Sequence, residues 1–175
     1  PVDALMIRKQ AYWSYFAGGY HTYGNTNVWN FGTYAPEGTQ DWKTALLSPG
    51  AESLTVLRRF MDSIPWWKLA PSSKVLLRRR IGSTNRMHIA LGASDGSGAV
   101  VYVSGPDKVT VDLTTIKTAK NAGATWVNPR DGTARAAGEY PTTGEHTFET
   151  PSGWSDALLV LDGGIQADRP QRIPQ

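Results

Sequence analysis

Residues 18–34, GGYHTYGNTNVWNFGTY, crowd one imidazole, several aromatic rings and three carboxamides into a single short stretch. His21 carries two ring nitrogens and Tyr23 a hydroxyl that both donates and accepts. Asn25 adds an amide, Trp29 a flat indole face, and Glu37, slightly farther on, a carboxylate. Such a set could ring a polar ligand with hydrogen bonds and stack against its apolar side. Each residue also has a plain structural use. His21 is equally a satisfied core histidine, Trp29 a plug between loops, Tyr23 a strand-end hydrogen-bonding group, and Asn25, directly after Gly24, a turn residue.

The elements that must position this stretch are readable around it. ALMIRKQAYWSYF, residues 4–16, has apolar residues at helical spacing and no breaker, and Gly18 and Gly19 end it. YHTYG, residues 20–24, reads as a short strand, and a long loop containing Pro36 follows it. Asp41 is placed to cap a short helix in DWKTALL. Ser48, Pro49 and Glu52 open another, in which Leu54, Leu57, Phe60, Met61 and Ile64 share one face. PWWKLAPSSK is a connector, with Trp66 and Trp67 expected to pin it to a neighbouring surface.

Past residue 74 the pattern turns short and alternating. MHIALGA, GAVVYVSG, KVTVDL, GATWVNP, GTARAAGEY, HTFET and ALLVLD are strand candidates separated by turns such as SDGSG and PRDGT. That spacing predicts a small antiparallel β-sandwich of about 90 residues. The first 70 residues are less self-sufficient. A single parallel strand cannot make a sheet, and neither helix has an obvious surface to cover, so both are expected to pack on something outside the segment.

Composition narrows the possibilities. The chain has 175 residues, 40% of them hydrophobic, which suffices for a buried core, and its formal charge of +3 is too small to indicate a nucleic-acid partner. Arg58-Arg59 and Arg78-Arg79-Arg80 read as a solvated helix face and a charged linker. Cysteine is absent and there are three histidines, so neither a metal nor a cofactor is expected. No apolar run is long enough to span a bilayer, and no membrane partner is expected. The sequence starts at Pro1, from which removal of an upstream segment is expected.

RKQAYWSYFAGGYHTYGNTNVWNF, then PGAESLTVLRRFMDSIPWWKLAP, then WVNPRDGTARAAGEYPTTGEHTFETPSGWSDALLVLD resemble the apiosidase-like glycoside hydrolases along nearly the whole chain. The resemblance implies an α+β chain made of the C-terminal βα portion of a (β/α)8 barrel followed by a small antiparallel sandwich of the collagen-binding type. Residues 1–72 would hold the last barrel helices, the eighth strand and its loop. Residues 73–85 would be a linker, 86–165 the sandwich and 166–175 a flexible tail.

The function so implied is a secreted glycoside hydrolase, extracellular or periplasmic, acting on plant-type poly- or oligosaccharide. His21, Tyr23, Asn25, Trp29 and Glu37 would touch substrate, His21 by binding a sugar hydroxyl or orienting the nucleophilic carboxylate. Glycosidases of this type use two carboxyl groups, and the resemblance puts both before Pro1, so no catalytic residue is assigned here. The partner would be the remainder of the barrel, as a missing or separate polypeptide. A noncatalytic module that binds carbohydrate or a matrix protein is the competing reading, and exposure of Trp126 or Trp154 would favour it.

Overall fold

Asp3 opens the first helix, its carboxylate accepting the Met6 N–H at 2.8 Å, and Ala4–Phe16 (α1) runs without a breaker in a computed structural model that describes residues 3–29, 31, 41–77 and 86–165. Gly18, at φ +83°, turns the chain out of the helix, where its N–H and that of Gly19 close on Tyr15 and Ser14 carbonyls. Arg8, Ala11, Tyr12 and Phe16 form the buried stripe of α1. A short turn of helix, Thr26–Trp29 (α2), and another, Trp42–Ala45 (α3), precede Pro49–Ser63 (α4). As its pattern predicts, α4 buries Leu57 and Phe60, with Ile64 just beyond its end and Leu54 and Met61 partly covered.

All seven anticipated strands form: Ile89–Ala93 (β2), Gly98–Val103 (β3), Lys108–Asp112 (β4), Asn121–Val127 (β5), Ala134–Pro141 (β6), Glu145–Glu149 (β7) and Ala157–Asp162 (β8). An eighth, Leu69–Pro71 (β1), joins them from the stretch read as a connector. Pro71 disguises it, yet β1 pairs only with β2, at the sheet edge, where a strand tolerates a residue with no N–H to give. The larger sheet has the order β1-β2-β3-β8-β5-β6, and β4-β7 form a second layer. Every pairing is antiparallel.

The central strand β3 is buried on both faces. Val101 and Val103 turn toward a core shared with Val109, Val111 and Phe148 of the second layer. Val100 and Tyr102 turn the other way and meet Tyr12, Phe16, Leu57, Phe60 and Ile64. The six-stranded sheet is therefore covered on one side by β4-β7 and on the other by α1 and α4.

This arrangement meets one expectation and corrects another. The helices pack, as expected, on a surface outside the first 70 residues, and that surface is the outer face of the sandwich sheet, whose central strands are apolar on both sides. YHTYG, in turn, is not a strand among the described residues: residues 20–25 join no ladder. Its physical reason is the one that makes a single parallel strand unworkable, since its N–H and C=O groups find no neighbouring strand. Trp66 and Trp67 are both about half exposed and pack edge to face on one another, ring centres 6.1 Å apart. None of the described helices is long and apolar enough to cross a membrane.

Candidate functional site

Although residues 20–25 belong to no sheet, their burial alternates. His21, Tyr23 and Asn25 are half-buried, while Tyr20, Thr22 and Gly24 are exposed. That two-residue period is the signature of an extended segment with one face against the protein and one open. The covered face rests on the start of α4. A Cβ built on Gly50 would lie 2.7 Å from Ile7 Cδ1 and 3.4 Å from the Tyr23 ring, so the bare glycine is what lets α1, α4 and Tyr23 converge.

The Tyr23 hydroxyl shares a 2.9 Å hydrogen bond with Ser48 Oγ. Ser48 occupies the cap position of α4, but its hydroxyl makes no capping bond to the helix and serves Tyr23 instead. Asn25 Nδ2 donates to the Tyr23 hydroxyl at 3.2 Å, while Asn25 Oδ1 accepts the Asn27 N–H at 3.0 Å. The Asn25 carbonyl takes the Val28 and Trp29 N–H groups, which makes Asn25 the organiser of α2. Tyr23 and Asn25 thus have their hydrogen-bonding capacity engaged within the protein. His21 differs: its Nε2 is shut off from solvent and has no hydrogen-bond partner among the described residues.

At the far end of this path α2 delivers Trp29 to the surface with 84% of its area exposed. Phe31 follows at φ +52°, a left-handed conformation rare for a bulky side chain, 71% exposed and edge-on to Trp42 at 5.7 Å. Lys43 Nζ lies 5.6 Å from the Trp42 ring centre. Phe31 had no assigned role in the sequence, because a positive φ at a phenylalanine leaves no mark in residue type. Glu37 lies outside the described residues.

The structure brings His21, Tyr23 and Asn25 onto one covered face and sets Trp29 apart from them on an open surface. The nearby carboxylates act as caps. Asp41 accepts from the Lys43 and Thr44 N–H groups and the Thr44 hydroxyl, and these bonds, the hydroxyl's first, hold its pKa below the ordinary carboxylate value.

Between α1, α4 and the sheet lies a polar cluster that the sequence did not signal as a unit. Arg8 Nε and Nη2 grip Asp156 at 2.8 and 2.7 Å, a fork-to-fork pair with side chains 4% and 1% exposed. The Tyr102 hydroxyl donates to Asp156 at 2.9 Å, and Arg8 Nη1 reaches Ser53 Oγ at 3.3 Å. Burial by itself lowers the Arg8 pKa, but the hydrogen bonds and charge of Asp156 outweigh it and raise the net value. Burial, reinforced by the Asp156 charge, raises the phenols of Tyr12 and Tyr102, which stack with centres 4.6 Å apart. A charged residue on the apolar stripe of α1 was the available clue.

The other histidines are structural. The Ser104 N–H donates to His88 Nδ1 at 3.2 Å, which leaves Nε2 to carry the proton and donate to Asp107 Oδ2 at 3.0 Å. His146 packs against Tyr140 and Phe148. Among the described residues no three His, Asp or Glu side chains are grouped to hold a metal ion. Trp126 and Trp154 are both buried, the latter beneath the Arg135 guanidinium at 5.2 Å.

Comparison with known proteins divides the chain at the start of the sandwich. Residues 1–68 match the family described as "Apiosidase-like, catalytic domain", and residues 71–162 match "Putative collagen-binding domain of a collagenase". A solved structure titled glycoside hydrolase is similar with a TM-score of 0.81 and 26% identity over 93% of this chain and 37% of its own. A family 5 glycoside hydrolase from Bacteroides vulgatus is similar with a TM-score of 0.80 and 26% identity, covering 91% of this chain and 36% of its own. The chain thus spans little more than a third of either protein. No curated protein matches it.

Proposed function

We propose that this chain, which belongs to the apiosidase-like glycoside hydrolases and to the collagen-binding-type family of their sandwich, supplies the eighth-strand sector of a glycosidase barrel together with its substrate-facing loop. The observation that carries this reading is the segment Tyr20–Asn25, extended by its burial period, seated on α4 and, among the described residues, without strand neighbours. Strands of a rest-of-barrel polypeptide would pair with both of its edges and cover its open face, with α1 and α4 lying outside it as barrel helices do. The loop beyond it would then stand at the C-terminal mouth of the barrel, where such enzymes do their chemistry.

In that setting the roles separate. Trp29 stacks on the apolar face of a sugar ring from a plant-type polysaccharide in a secreted enzyme. Tyr23 and Asn25 hold the loop that presents it. His21 orients a carboxylate or binds a sugar hydroxyl in the assembled barrel once its Nε2, shut off from solvent in this chain by itself, is uncovered. The acid and the nucleophile or base come from the rest of the barrel. The sandwich acts as a buttress, a reading supported by the burial of Trp126 and Trp154 and of the sheet face under α1 and α4.

Co-expression of this chain with the barrel portion of a related glycosidase tests the proposal. The assembled pair should cleave aryl glycosides while neither part does so alone, and Trp29→Ala should lower kcat/KM about tenfold to a hundredfold, some 1.4 to 2.8 kcal/mol of transition-state binding. Failure of the two parts to associate, or unchanged kinetics for Trp29→Ala, would reject it.

A further inference from the structure

A groove of about 500 Å³ opens where α1 and α4 end beside β1 and β2. Trp29 is not among its lining residues, whereas Tyr20, the first residue of the extended segment, is. Tyr23 sits at the first turn of α4 and the groove at its last, and the 15 residues of that helix rise roughly 20 Å at 1.5 Å each. Its size falls within the range of ligand pockets, and it is lined from both family segments: Tyr15, Asp62 and Trp66 from one, Pro71 and Leu91 from the other.

The lining has a definite chemistry. Trp66, 52% exposed, Tyr15, 39% exposed, and Tyr20, 94% exposed, offer ring surface, and Met61 and Leu69 add apolar surface. On the rim, Arg58 Nε is 2.8 Å from Asp62 Oδ2, one turn apart on α4, so donors and acceptors stand side by side at the solvent edge. Aromatic surface flanked by paired donors and acceptors matches a pyranose ring, which has an apolar C–H face and a belt of hydroxyls that each donate and accept. Gly18, whose missing Cβ would stand 3.3 Å from Pro71 Cγ at the groove wall, permits the close approach of α1 to β1 that shapes it.

We infer that this groove is a second carbohydrate-binding site, which holds a glycan chain at the junction of the two segments, at the end of α4 opposite the Tyr23 contact. A ligand held there would anchor a polymer without taking part in its cleavage.

Titration of the chain with cellohexaose and xylohexaose, followed by calorimetry and tryptophan fluorescence, tests the inference. At least one sugar should bind, and Trp66→Ala should weaken that binding tenfold or more. Arg58→Ala, which alters only an exposed helix side chain, should weaken it severalfold without disturbing the fold, and Trp29→Ala should leave this site intact. Equal affinity in the Trp66→Ala and unsubstituted chains overturns the assignment. So does loss of all binding in Trp29→Ala, or binding of a (Pro-Pro-Gly)10 peptide with no response to either hexasaccharide.

Discussion

Tyr12 and Tyr102 stack almost parallel in the same apolar interface, yet their hydroxyls have opposite fates. Tyr102 donates to Asp156, whereas the Tyr12 hydroxyl is buried with no partner among the described residues. A buried hydroxyl without a hydrogen bond costs about 1–3 kcal/mol, and a bond to a charged acceptor contributes about 1.5–3 kcal/mol. Tyr12→Phe is therefore expected to leave the free energy of unfolding in urea unchanged or raise it, and Tyr102→Phe to lower it by an amount in that second range. A Tyr12→Phe variant less stable by over 1 kcal/mol would show that the hydroxyl has a partner in solution. The local sequence made both tyrosines visible as apolar-face residues. It could not tell them apart, because the acceptor that distinguishes them lies 54 positions from Tyr102.

At the scale of elements, the Arg8–Asp156 pair ties α1 to the residue just before β8, with Tyr102 of β3 and Ser53 of α4 joined to the same cluster. Removing one partner of a buried ion pair strands the other charge, a cost of about 3–5 kcal/mol, whereas removing both charges together spares most of that. Asp156→Ala should accordingly destabilise the chain by that amount in guanidinium unfolding. The double variant Arg8→Met with Asp156→Asn, which keeps an acceptor for Tyr102, should lose clearly less than Asp156→Ala. Additive losses instead would mean that the pair is not acting as a coupled, desolvated unit. The helices themselves were legible from periodicity and caps: Asp3 and Asp41 stand where the N-termini are, and Leu57, Phe60 and Ile64 lie on the buried side of α4. What they pack against was not, since an amphipathic face announces that it needs a partner and is silent about which.

For the molecule as a whole, α1 and α4 are part of the hydrophobic core of the sandwich, because they cover Leu91, Val100, Tyr102, Leu158 and Val160. A chain reduced to residues 69–165 would bare that face. It should bind a hydrophobic dye such as ANS and self-associate, as large exposed apolar patches do. A monomeric, cooperatively folding 69–165 that ignores the dye would show that the helices are dispensable to the sandwich. From the sequence alone came the positions of α1, α4 and seven strands, the caps, the turns and the family resemblance. Each depends on residues close in the chain or on a motif that survives as a string. Only the tertiary structure decided that β1 continues the sheet through Pro71, that the outer sheet face belongs to the helices, that Trp126 and Trp154 are buried and that Trp29 is open while Tyr23 and Asn25 are engaged. Those outcomes are set by which distant surfaces meet, and the free energy of excluding water between them has no local signature in a linear sequence.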